Sequence, residues 1–156
     1  MESIYEAGPV DRDDARSQLE LLAADRAVSS SRAAAPWWLI ALHGLSVAGF
    51  VFSFGLGRWE AAGFAISALV FVGLGMIRPW ITRTRAEPWS TSTRAVRPGV
   101  LQFVSAVAII AVGALLFKQL DAEWVLWPTA ILACGTTVWF GLQMERALAL
   151  DVAEGV

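Results

Sequence analysis

Charge is scarce in this sequence. Of 156 residues only 17% are Asp, Glu, Lys or Arg, against about 25% in an ordinary soluble domain. The shortage is local. No formal charge falls between Arg32 and Arg58, between Glu60 and Arg78, between Arg97 and Lys118, or between Glu123 and Glu145. Cysteine is nearly absent: Cys134 stands alone, which excludes a disulfide within the chain and a cysteine-based metal cluster. Histidine is as rare, with His43 the single example. HExxH, GxSxG, the phosphate-binding P-loop and CxxC are all missing. The carboxylates lie in tails or short turns, so no enzyme, cofactor or metal is expected. The opening "MESIYEAGPVDRDD" is acidic and lacks the apolar core of a signal peptide. The first apolar block is therefore expected to be a retained anchor.

What is present is apolar and arranged in blocks. A helix rises 1.5 Å per residue, so about 20 residues cross a hydrocarbon layer of about 30 Å. Four blocks meet that length: 37–57, 61–77, 100–117 and 124–143. Each is apolar all round rather than along one stripe, which points to burial in lipid. A backbone in lipid must satisfy its own hydrogen bonds, so each span should be helical. No block alternates with a period of two, which argues against a β-barrel. The expected fold is all-α: a polytopic membrane protein with four transmembrane helices arranged as two hairpins. Residues 1–35 form a cytoplasmic segment with a short helix, 36–143 the transmembrane domain, and 144–156 a cytoplasmic tail that continues the last helix.

The connections set the direction of threading. Gly57 to Glu60 and Lys118 to Glu123 are tight turns. Between the hairpins lies a longer loop, 78–97, with Arg78, Arg83, Arg85, Arg94 and Arg97 against the single acid Glu87. Pro79, Pro88 and Pro98 argue against one continuous helix there. By the positive-inside rule this loop faces the cytoplasm, and four spans then place both termini inside. Trp37, Trp38, Trp80 and Trp139 fall near inner ends, and Trp59, Trp124 and Trp127 near outer ends. Both sets suit the headgroup level that tryptophan prefers. Ahead of the first span, Asp11 or Asp13 could cap a helix in which Ala15, Leu19, Leu22 and Ala23 recur at helical spacing. Its mixed charge suits docking on the bundle or a partner better than anchoring alone.

Candidate functional residues are few. His43 is the one histidine at membrane depth, and intramembrane ionisable groups are functional candidates by default. It could relay protons, but no span offers a carboxylate partner. Packing, with a hydrogen bond to Ser46, Ser67, Thr136 or Thr137, is the reading the residue favours. The loop arginines could bind anionic lipid headgroups or serve topology alone. Thr129, Ala133, Thr137 and Gly141 form a stripe of small residues, which lets helices approach closely either inside the bundle or across a dimer. Cys134 is expected to pack as a small apolar residue. Pro128 is harmless if the last helix starts near Trp127. Nucleic-acid binding has no support, since no recognition fold is legible.

The stretch "DRAVSSSRAAAPWWLIALHGLSVAGF" resembles a widespread set of small, uncharacterised actinobacterial four-span membrane proteins. The matching positions are Arg32, Pro36, Trp37, Trp38 and Gly44, and the ending "WFGLQMERALALD" is similar too. The resemblance implies four spans in a bacterial cytoplasmic membrane and no established activity. Small multidrug exporters share the span count, but they need a glutamate in the first span, which is missing. Four-span quinone-reducing thiol enzymes need cysteine pairs, also missing. The expected role is structural or accessory, meeting a membrane-protein partner, a second copy or anionic lipid through the N-terminal helix and the arginine loop. The alternative is a small transporter or channel component with His43 as its polar group.

Overall fold

A computed structural model describes residues 12–83 and 92–154. Asp11, Arg85, Glu87, Pro88 and Trp89 lie outside the described residues. Among those described, all regular structure is helical. The helices are α1 (Arg12–Ala33), α2 (Trp37–Ser53), α3 (Glu60–Thr82), α4 (Thr93–Leu120) and α5 (Leu126–Glu154). Short 3₁₀ segments occupy Phe54–Trp59 and Glu123–Val125.

Local chemistry places the boundaries. Pro36 sits extended at φ −65° and ψ 144° ahead of α2, and its carbonyl accepts from the Leu39 amide at 3.0 Å. Gly57 adopts φ 54° and ψ −117°, a region open to a residue without Cβ. There the chain turns back, and α3 lies alongside α2. Phe50 and Phe54 pack on Phe64 with centroids 6.1 and 5.0 Å apart, and His43 meets Phe71 at 5.2 Å. Ser92 caps α4 by accepting from the Ala95 amide at 3.0 Å. Asp121 ends α4 in the left-handed conformation, its amide donating to the Phe117 carbonyl at 3.0 Å.

The prolines differ in effect from the reading of 78–97 as one loop. Helix α3 runs through Pro79 to Thr82, and α4 starts at Thr93 and runs through Pro98. Each proline forfeits one i−4 hydrogen bond, and near a helix end the remaining turns tolerate that loss. Arg78 therefore belongs to α3, and Arg94 and Arg97 to α4. Pro128 is the third residue of α5, where its missing N–H had no helical partner to lose.

By length and composition three segments are able to cross a membrane: Trp37–Thr82, Thr93–Leu120 and Glu123–Glu154. The first is 46 residues long and contains α2 and α3 with the reversal between them. Helix α5, at 29 residues, is about 44 Å long and outreaches a hydrocarbon layer. Large apolar side chains point outward, with Leu69 73%, Met76 71% and Trp80 85% exposed. Such a surface is consistent with a membrane protein and would be an aggregation hazard in water.

Helix α5 is the centre of the molecule. It packs against α2, α4 and α1, while α2 also carries α3 on its other side. The core joins Val47, Ala48 and Val51 of α2 to Leu126, Ala130 and Ala133 around α5, with Ile109, Ile110 and Phe117 of α4 against them. Small residues permit the approach. A Cβ on Gly44 would lie 2.7 Å from Val138 and 3.1 Å from the Cys134 carbonyl oxygen. The outer helices α3 and α4 scarcely touch. In the order α3, α2, α5 and α4 these helices thus form an open arc, and the gap between α3 and α4 leaves a groove.

Candidate functional site

Helical spacing brings a set of polar groups to this groove. On α3, Phe71, Gly75 and Arg78 lie on one face, as do Thr137, Gly141, Met144 and Glu145 on α5. Helix α2 adds Ile40 and His43, and α4 adds Gln102 across the gap. Together they line a cavity of about 360 Å³.

Its firmest feature is an ion pair between residues 67 apart in sequence. Arg78 Nη2 donates to Glu145 Oε2 at 2.8 Å and to Oε1 at 3.1 Å, and Nε donates to Oε1 at 3.2 Å. Both side chains are only 11% exposed. Glu145 Oε2 also accepts the Ala35 amide at 2.8 Å. One carboxylate therefore ties together the end of α3, the link between α1 and α2, and α5. Charge-assisted, two-pronged bonds of this kind are among the stronger ones in proteins. The two formal charges also cancel, leaving the wall locally neutral.

His43 is oriented by its own helix. Nδ1 lies 2.9 Å from the Leu39 carbonyl oxygen. A carbonyl oxygen only accepts, so Nδ1 carries the proton and donates. In the neutral ring Nε2 is then a bare acceptor. Phe71 meets the ring edge-on at 82°. None of the four hydroxyls expected as partners bonds the imidazole. Ser46 donates to the His43 carbonyl at 2.7 Å, Thr137 to Ala133 at 2.7 Å, and Thr136 to Leu132 and Ala133; Ser67 faces Gly49. Among the described residues Nε2 has no hydrogen-bond partner, and neither has the half-buried carboxamide of Gln102.

The arginines do not act as one patch. Arg78 is committed to Glu145. Arg94 pairs with Glu154 at 2.7 Å and with Asp151 at 3.2 Å. Arg83 and Arg97 are exposed, with no ion pair among the described residues, and Arg85 lies outside them. Asp151, 2% exposed, accepts from Ser92 at 2.6 Å and from the Arg94 amide at 3.3 Å. The Ser92 hydroxyl, ahead of the Arg94 contacts, holds the Asp151 carboxyl below its usual value. Glu154, by hydrogen bond and charge, raises Arg94. These contacts fasten the tail of α5 to the start of α4.

The small-residue stripe lies within the chain. Thr129 packs on Gly113 and Gly141 on Ile40, and Ala133 and Thr137 are buried. Where the end of α4 meets the start of α5, a second cavity of about 440 Å³ is lined by Val112, Leu116, Trp124 and Leu132 and is almost wholly apolar. Glu145 and Gln102 were missed in the sequence. A signal for Glu145 existed: it is the first acid after the last apolar block, as Arg78 is the first base after the second. Gln102 gave none, since a single amide inside a span identifies no neighbour.

Comparison with protein-family models, with curated proteins and with solved structures finds no match for this chain.

Proposed function

We propose that the protein is a non-catalytic, accessory membrane protein that crosses the bacterial cytoplasmic membrane four times and holds a lipid-like amphiphile in the groove between α3 and α4. Both termini face the cytoplasm on this reading, and the Arg78–Glu145 pair lies at the inner headgroup level. The observation that carries it is the groove itself: His43, whose Nε2 has no hydrogen-bond partner among the described residues, and Gln102, whose carboxamide has none among them either, line one cavity between outer helices that fail to close. A polar group at membrane depth is costly unless something bonds it. Arg83 and Arg97 remain exposed and could add contacts to anionic headgroups, each worth about 1 kcal/mol near such a surface. The expectation of a protein partner on α1 stays part of this proposal, as does its likeness to the actinobacterial four-span proteins.

Gly75 offers a direct test. It lines the cavity, and a Cβ there meets nothing within 4 Å, so Gly75→Phe should fill the groove without disturbing the fold. Lipids co-purifying with the wild type and the variant are compared by mass spectrometry. A species lost from the variant supports the proposal; identical lipid complements reject it. Threading is tested in a Cys134→Ser background. Arg58→Cys and Gln119→Cys should react with an impermeant thiol reagent from outside the cell, and Glu154→Cys only after permeabilisation. A proton-coupled transporter is the second reading, favoured by the cavity-lining imidazole, and it requires flux in proteoliposomes that His43→Phe abolishes.

A further inference from the structure

The groove's chemistry restricts what it can hold. The Arg78 and Glu145 charges cancel each other at 2.8 Å, so a charged headgroup would find no counter-ion and would lose its hydration on entering. His43 Nε2 can only accept, because Leu39 holds the proton on Nδ1. Gln102 both donates and accepts. A complementary head is therefore uncharged, carries at least one O–H donor for Nε2, and carries an acceptor for the Gln102 amide. A hydroxyl is the smallest group with both. The remaining wall is hydrocarbon, chiefly Ile40, Phe71 and Val72. At about 30 Å³ per water-sized group the cavity holds on the order of a dozen of them, enough for a hydroxyl and the first part of a single chain.

We infer that the groove selects a neutral, hydroxyl-headed, single-chain amphiphile from the bilayer, with its O–H donated to His43 Nε2 and its oxygen accepting from Gln102. This rests on the reading of the groove as a lipid site and adds the class of head. The charged groups that line the cavity with His43 are Arg78 on α3 and Glu145 on α5; α4 contributes only the uncharged Gln102, and Cys134 of α5 lies against Gly44 next to His43.

The test uses the full chain in lipid nanodiscs and three radiolabelled probes with one C16 chain: 1-hexadecanol, its methyl ether, and hexadecanoate. The ether keeps the acceptor and lacks the donor. One hydrogen bond of ordinary strength corresponds to about tenfold in affinity. The alcohol should bind about tenfold more tightly than the ether at neutral pH, with hexadecanoate weakest. His43→Phe should bring the alcohol down to the ether, and Gln102→Leu should weaken both. Equal binding of alcohol and ether by the wild type, both displaced in Gly75→Phe, overturns the hydroxyl assignment while the groove stands. Tighter binding of hexadecanoate than of the alcohol also overturns it. Binding of all probes that Gly75→Phe leaves unchanged overturns the groove itself. The wild-type ranking alone decides the assignment should His43→Phe fail to fold.

Discussion

Glu145 is the residue whose loss should be felt most widely. Replacing it with alanine removes three nitrogen–oxygen contacts to Arg78 and the acceptor for the Ala35 amide. The guanidinium would stay in a site where its side chain is 11% exposed, deprived of its carboxylate. Breaking a buried pair by removing one partner costs about 3–5 kcal/mol. The residual exposure argues for the lower figure, about 3 kcal/mol, or a fall of about 6–12 °C in Tm at 2–4 °C per kcal/mol. Arg78→Leu should cost a similar amount. The double variant Arg78→Leu/Glu145→Leu should recover most of the loss, because no charge is then left behind. It should remain about 1 kcal/mol below the wild type, since the Ala35 amide still lacks its acceptor. Thermal and denaturant unfolding in mixed micelles, followed by circular dichroism, measures all four proteins. Single variants within about 0.5 kcal/mol of the wild type, the range of an exposed pair, would refute the reasoning. So would a double variant whose loss equals the sum of the singles.

Two further outcomes follow from contacts elsewhere. Gly44→Ala should lower stability by about 1–3 kcal/mol, because its Cβ would meet Val138 at 2.7 Å and the Cys134 carbonyl at 3.1 Å, whereas Gly135→Ala, with nothing within 4 Å, should be neutral or slightly stabilising in the same unfolding assay. Asp151 is held below its ordinary value, so its contribution is complete above the unfolded carboxyl's value of about 4 and is lost as pH falls through the lower folded value. Amide exchange at Thr93–Ala95, corrected for intrinsic rates, should be unchanged from neutral to mildly acidic pH and rise only below about pH 4, while Asp151→Asn should show the faster exchange already at neutral pH.

Much of the architecture is legible in the chain because its causes are local. The charge-free runs around Val47, Val70, Ile109 and Ala133 require helices wherever water is excluded, and Gly57 and Asp121 sit where the chain must leave a helix. Boundaries were harder. The prolines at 79 and 98 read as breaks, yet each falls near a helix end where one lost bond is tolerable, so both helices are longer than their apolar runs. The arginines were legible as a group and not as individuals. Arg78 and Arg94 sit in the same stretch as Arg83 and Arg97, and only the fold says that the first two meet acids more than fifty residues away. His43 stood out by being solitary, but its tautomer depends on the position of the Leu39 carbonyl in the preceding turn.

The sequence by itself determined the lipid-compatible helices and the turns between them, since each follows from the composition of a stretch no longer than a helix. Only the tertiary structure decided which polar groups meet. That α5 lies at the centre, that α3 and α4 leave a gap, and that Glu145 reaches Arg78 and the Ala35 amide are consequences of how small residues such as Gly44, Gly113 and Gly141 let particular helices approach. Approach distance is a property of pairs of helices, and no single stretch carries it.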